Sequence, residues 1–347
     1  MKKHQFIALL FGLALLAVFG AAWQLFLRAP SADVRPVTVQ VEQGDGVKRV
    51  SGRLKETGLI SNRFLFEAYA RAAGAEAAFQ PGAFALLPGT SYASLVDALT
   101  RPRVSELTVT VPEGYTLAQI GAVFEEAGLF SQDAWLAIVG DPAVDYRAET
   151  EARRPTEFSA EFSFLASKPA YVSLEGYLFP DTYRFLKGAT PEEAVVKMLA
   201  NFDRKLTPEM RAAIKASGRS VHEVVTLASI VEREVRTARD RPLIADLFWR
   251  RLGIGMALQA DSTVNYLTGK KTPAVSNDDR AVNSSWNTYM YSGLPPGPIS
   301  NPGAAALEGT VFPETNDAWY FLTNETGTVY YAETNDAHNR NKDLYLP

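Results

Sequence analysis

The chain of 347 residues contains no cysteine. Disulfides and thiolate-bound metals are excluded, although the compartment stays open on this ground alone. Histidine is nearly absent too: His4, His222 and His338 are too few and too scattered for a histidine-based metal centre. No metal and no cofactor is expected. Neither sign of charge dominates, with 35 Lys and Arg against 39 Asp and Glu and a net charge of -4. Without a basic excess or basic run, nucleic acid is not an expected partner. Long uncharged runs that are also apolar are missing, with one exception. From Gln5 to Leu27 there is no charged residue, while Lys2 and Lys3 precede the run and Arg28 closes it. About 20 apolar residues cross a bilayer. The apolar core of a cleaved signal peptide is shorter, roughly 7–15 residues. The expectation is a cytoplasmic tip and single transmembrane anchor over 1–28, with the lysines inside and the remaining body outside. That body, in a chain 47% hydrophobic and 21% charged, suits two or three globular domains.

After the anchor the sequence repeats itself at an offset of 70 without a gap. Val37-Thr-Val-Gln-Val41 matches Leu107-Thr-Val-Thr-Val111, Gly44 matches Gly114, and Gly58-Leu59 matches Gly128-Leu129. Each copy reads as an alternating strand, a Gly turn, an amphipathic helix closed by Gly, and a Ser (Ser61, Ser131) opening a second helix. The first copy continues through a returning strand at Pro81–Leu87 and a helix at Ser94–Thr100. Such a unit, 36–104, resembles a LysM module, the kind that binds N-acetylated sugars of wall glycans. A spacer role is the alternative. A second related module and linker are expected over 105–170. Within it, 141–170 is polar and Pro-containing and reads as a linker or loosely packed insertion.

The remainder, 171–347, holds four clusters that carry chemistry. In Ser173–Tyr183, aromatics surround Glu175 and Asp181. Asp181 reads as a backbone cap, while Glu175 is either a cap or a sugar ligand. The second is a helix whose start is marked by Ser220 and Glu223, a capping box. Val221, Val224, Val225, Leu227, Ala228, Val231 and Val235 form one apolar arc at 100° per residue. Glu232 falls inside that arc, and Glu234 falls on its edge. A carboxyl held against apolar side chains has a raised pKa, as a general acid needs. The alternative is an ion pair with Arg236 at i+4. The third cluster follows the helix Arg241–Leu252. There Asp261 reads as an N-cap, and Gln259 precedes it with an amide suited to a sugar hydroxyl or acetamido group. The fourth is the Pro- and Gly-rich loop Trp286–Gly303. Asn287, Thr288 and Tyr289 give it a polar and aromatic edge, and rigid loops bind at low entropic cost. A hairpin at Asp317–Thr323 and Thr328–Ala332 follows, then a polar tail with His338.

These clusters resemble the endolytic murein transglycosylases, the membrane-anchored lytic transglycosylases of bacteria. The resemblance rests on Leu174-Glu-Gly with Phe179-Pro-Asp-Thr182, Leu227-Ala-Ser-Ile-Val-Glu232, Leu258-Gln with Asp261, Asn287-Thr-Tyr289 and Gly293-Leu-Pro-Pro-Gly-Pro-Ile299, in that order. Two positions depart from the family pattern: Ser262 where proline is common, and Ala337 where an acid is common. The resemblance implies an α+β chain with an N-terminal transmembrane helix, duplicated small LysM-like modules and a mixed α/β catalytic domain. It implies catalysis by Glu232; the clusters themselves offer Glu175, Gln259, Asp261, Asn287, Thr288 and Tyr289 as candidates on the substrate side. It implies an inner-membrane location with the body in the periplasm, and peptidoglycan glycan strands as substrate. Peptidoglycan synthases are the implied membrane partners.

Overall fold

The computed structural model describes residues 13, 15–16, 18–20, 22–27, 35–101, 106–270 and 275–346. The expected anchor lies largely outside the described residues. Among those described, no helix is long and apolar enough to cross a membrane. The chain divides into two compact units, Met1–Val104 and Ser105–Pro347.

In the first unit, strand β1 (Val37–Val41) pairs antiparallel with β2 (Gly82–Leu86), Val39 opposite Phe84. Between them lie α1 (Val47–Glu56) and α2 (Arg63–Ala72), and α3 (Tyr92–Thr100) follows. Alternation along β1 turns Val39 and Val41 inward onto Val50, Leu54, Phe66 and Leu95. The second unit opens with the same plan. Strand β3 (Glu106–Thr110) is followed by α4 (Leu117–Glu126) and α5 (Gln132–Val139), and β3 pairs antiparallel with β4 (Thr182–Leu186). The buried face of α1 is Val47, Val50, Ser51 and Leu54; that of α4 is Leu117, Ile120, Gly121 and Phe124, 70 residues on at every position. Gly44 and Gly114 take φ of 84° and 74°, and Gly58 and Gly128 take 73° and 71°. The terminal amides repeat as well: Leu59 N–H bonds the Leu54 carbonyl at 2.9 Å, and Leu129 N–H that of Phe124 at 3.1 Å. One detail differs from expectation. The first copy's second helix is capped by Asn62, which accepts from Leu65 N, whereas Ser61 bonds the Tyr92 hydroxyl. In the second copy Ser131 is the cap.

The two copies differ in what fills the gap before the returning strand. In the second, residues 140–181 intervene, and they are not a loose linker. Phe158, Phe162, Phe164 and Leu165 are buried in the same core as α4, α5 and β4, and Arg153 pairs with Asp141 at 2.8 Å. Their apolar spacing supplies burial that the polar composition conceals. Sequence reasoning divides 105–170 from 171–347, but one core runs across that division, so the second copy is built into the larger unit.

Helices α6 (Pro191–Lys205) and α7 (Pro208–Ala216) lead to the central helix α8 (Val221–Glu234), then α9 (Asp240–Gly253), α10 (Asp261–Thr268) and the short α11 (Asn277–Arg280). The loop 281–303 precedes α12 (Ala304–Val311). The antiparallel hairpin β5 (Tyr320–Thr323) and β6 (Val329–Ala332) and helix α13 (Asn335–Tyr345) complete the unit. Helix α8 is the wall between two cores. Val224, Val225 and Ala228 face the core of the second repeat, while Leu227, Ile230, Val231 and Val235 face α9, Trp286 and Ile299. The expected single arc is thus too narrow, because Thr226 and Ser229 are buried too. Ser229 is satisfied there: its hydroxyl donates to the Thr226 carbonyl and accepts from Ile299 N at 3.0 Å.

Candidate active site

Ser220 and Glu223 form the reciprocal capping box that starts α8, so the register of its far end is set by sequence. In that last turn Glu232 and Glu234 sit two residues apart, about 200° around the axis, and so serve opposite sides. The Glu232 side chain is 6% exposed. Its Oε1 accepts from Arg241 Nη2 at 2.6 Å, and its Oε2 from the amide of Gly303 at 3.0 Å. The ion pair anticipated with Arg236 is made instead by Arg241, from the start of α9; Arg236 is exposed and lies beside Gly327. The chain turns between Val235 and α9, and that turn brings Arg241 back over Glu232. Burial pushes the Glu232 pKa above the usual carboxyl range; the Arg241 charge and the Gly303 amide pull it back, and Glu113 adds to the rise. Glu232 also stands at the negative end of the α8 dipole, which disfavours its ionised form.

Three neighbours of Glu232 escaped the sequence reading. Glu113, in the turn between β3 and α4, holds its Oε2 3.7 Å from Arg241 Nη2. Gly114, left-handed at φ 74°, packs against Glu232; an added Cβ would lie 3.5 Å from Glu232 Cγ. A Cβ on Gly303 would overlap the Glu113 carboxylate. The signal that could have found them is the repeat itself, which marks Gly114 as a fixed turn. The turn is clamped by Gly114 N–H to the Asn301 carbonyl at 2.9 Å and by Arg233 Nη1 to the Gly114 carbonyl at 3.1 Å.

Glu175 is 2% exposed and enclosed by donors. It accepts from Leu117 N at 3.1 Å, from Asn301 Nδ2 at 2.8 Å and from the Tyr266 hydroxyl at 3.2 Å. Burial outweighs these bonds and pushes its pKa up to about 8. It braces the head of α4 against α10 and the loop before α12. Asp181 accepts from Thr182 N at 2.8 Å and from Asn201 at 3.0 Å, which holds its pKa down.

Gln259, Asp261, Asn287, Thr288 and Tyr289 come together beside α10. Asp261 is the first residue of that helix rather than its cap: Ala260 occupies the N-cap position without a side-chain bond. The Asp261 carboxylate instead accepts from the Tyr289 hydroxyl at 2.6 Å and lies 3.6 Å from Arg280. The head of α10 is met by Glu234, whose Oε1 accepts from Ser262 N at 3.1 Å. Glu234 therefore turns inward, not to a rim, and burial raises its pKa. Asn287 and Thr288 have 0% and 1% exposure. Asn287 donates to the carbonyls of Arg280 and Val282, and Thr288 Oγ1 accepts from Ala260 N. These two stand behind the wall and hold it. Gln259 is exposed, with a strained φ of 51°. A strained non-Gly residue with an exposed side chain is a mark of a binding position. Arg233 ties the groups together, since its charge acts on Glu232, Glu234 and Glu175 at once.

A buried carboxyl with a raised pKa suits proton transfer. Comparison with known proteins agrees in kind. The model of the YceG-like family matches residues 39–344. The endolytic murein transglycosylase of Bacillus subtilis (strain 168) is 31% identical over 311 residues, which is 89% of this chain and 85% of that protein. The protein of the same name from Streptococcus pneumoniae (strain D39) is 33% identical over 322 residues; the match takes in 88% of this chain but 57% of the longer pneumococcal one. A crystal structure of a YceG-like protein from Listeria monocytogenes aligns with a TM-score of 0.58 and 30% identity, over 89% of this chain and 99% of that one. The chain belongs to the YceG-like family.

Proposed function

We propose that this protein is a peptidoglycan lytic endotransglycosylase whose acid and base are one residue, Glu232. Glu232 gives its proton to the glycosidic oxygen as the bond from N-acetylmuramic acid C1 to the N-acetylglucosamine oxygen breaks. The resulting carboxylate takes the proton of the muramic C6 hydroxyl as O6 bonds to C1, closing a 1,6-anhydro ring. Protons balance, no water is consumed, and Glu232 ends as it began. The observation that carries the reading is a nearly enclosed carboxyl whose pKa is raised by burial despite an arginine at 2.6 Å. The names of the relatives support the substrate class.

Gln259, Asp261 and Tyr289 are the side chains of the polar cluster that reach the surface, and they are assigned to glycan contact. The first unit, a strand–helix–helix–strand plan, is read as a LysM-like glycan-binding module. The stretch Gln5–Leu27 is read as an inner-membrane anchor with the body in the periplasm. On this reading, cleavage beside membrane-bound synthases ends strand growth.

The test is mass spectrometry of purified glycan strands digested by wild-type and Glu232→Gln proteins. Anhydro-muramic ends from the wild type, and none from the variant, are expected. Reducing ends would make the protein a hydrolase with a second carboxylate; full activity in the variant would remove Glu232 from the chemistry.

A further inference from the structure

Two carboxylates compete for one guanidinium beside the proposed acid. Arg241 Nη2 lies 2.6 Å from Glu232 and 3.7 Å from Glu113. The Arg241 side chain is 8% exposed, and its Nε has no hydrogen-bond partner among the described residues. Its Nη2 is within ion-pair reach of both carboxylates, so a small shift trades one for the other. The two acids differ in their contact with water: the Glu232 side chain is 6% exposed and that of Glu113 is 49% exposed. Water screens Glu113, so in the free protein the guanidinium sits closer to Glu232. Both glycines beside the pair are closely packed: a Cβ on Gly114 would meet Glu232, and one on Gly303 would meet the Glu113 carboxylate.

We propose that Glu113 is a positioning residue for the cleavage: it shares Arg241 with Glu232, and a glycan strand covering it draws the guanidinium off the catalytic carboxyl. The proposal rests on the reading of Glu232 as the acid. A strand lying over Glu113 removes water, and the Glu113–Arg241 attraction strengthens as the local dielectric falls. Glu232 then loses part of its counter-charge and holds its proton more firmly at the moment a proton is needed. The remaining groups facing Glu232 are the Arg233 guanidinium on the same helix and the Gly303 amide just before α12. Glu113 transfers no proton and forms no bond to sugar; it acts through Arg241.

The experiment compares full-length wild type with Glu113→Gln and Glu113→Asp. One readout is kcat at saturating purified glycan strands across pH, which reports the glycan-covered enzyme. The other is carboxyl NMR titration of Glu232, its signal identified by loss in Glu232→Gln. Because cleavage needs protonated Glu232, kcat falls as pH rises through its pKa in the glycan-bound enzyme. Loss of the Glu113 charge moves that falling limb to lower pH. On the limb Glu113→Gln is expected to be about threefold slower than wild type, with little change on the acid side. The Glu232 titration moves the same way, and Glu113→Asp restores part of both. An unmoved limb and titration would overturn the proposal. So would an equal loss at every pH, which marks direct contact with the reacting sugar. If the wild type cleaves nothing, the proposed function fails, while the titration still decides the role of Glu113.

Discussion

Glu175→Gln should abolish a specific slope in the stability of the larger unit with pH. The Glu175 pKa rises from 4.5 to about 8 on folding, chiefly through burial. Between those values the folded chain keeps a proton that the unfolded chain has released. Stability is therefore full below the unfolded pKa and is lost as pH rises through the folded one. The loss is about 1.4 kcal/mol per pH unit, or about 2.7 kcal/mol from pH 5.5 to 7.5. Glutamine copies the protonated carboxyl. Its oxygen takes the bonds from Leu117 N and Asn301, and its amide nitrogen meets the Tyr266 hydroxyl oxygen, which already accepts from Ala143 N at 3.0 Å. The assay is urea unfolding followed by tryptophan fluorescence. Four of the five tryptophans, Trp135, Trp249, Trp286 and Trp319, lie in Ser105–Pro347 and Trp23 lies outside it, so a Trp23→Phe background makes the signal report that unit. Other titrating groups are common to both proteins and cancel in the difference. The variant should gain about 2.7 kcal/mol relative to wild type over that pH interval. A difference that stays constant would refute the reasoning, because it would mean that Glu175 is ionised in the fold.

Gly303→Ala places a methyl on the Glu113 carboxylate and disturbs the amide that Glu232 accepts from; glycan cleavage should fall at least about tenfold in kcat, with circular dichroism unchanged. Arg241→Ala should destabilise the larger unit by about 3–5 kcal/mol in urea, since it strands a buried charge, whereas Arg236→Ala should stay within about 0.5 kcal/mol. Gln259→Gly relieves the positive φ and should stabilise by about 1 kcal/mol in the same titration while raising KM for glycan strands.

Local signals carried much of this fold. The capping box at Ser220 and Glu223, the glycines at 44, 58, 114 and 128, and the 70-residue repeat all recur as written, because each is decided within a few residues of chain. The position of Glu232 near the end of α8 followed from the same register. What stayed hidden depends on contacts distant in sequence. Arg241 reaches Glu232 across a turn, so the nearer Arg236 was the wrong arginine to pair with it. Glu113 comes from 119 residues upstream, through a turn whose packing against α8 nothing local announces. Asn301 binds Tyr115, Glu175 and Leu178 from the far side of the chain and looks in sequence like one more loop residue. Asp261 shows the reverse failure. Its position suggested a cap, but Tyr289 and Arg280 offered its carboxylate better partners.

The duplicated turn allows one loop to be compared with itself. In the first copy nothing among the described residues lies within 4 Å of where a Gly44 side chain would begin; in the second, the same left-handed glycine is packed against Glu232. The residue before it is Gln43 in one and Glu113 in the other, and both are exposed. The backbone is alike, so the turn alone confers no chemistry. Its meaning comes from the arginine and the helix end that meet it in only one of its two settings. The chain thus carries its own isosteric control: Glu113→Gln writes into the second copy the amide that the first already accommodates.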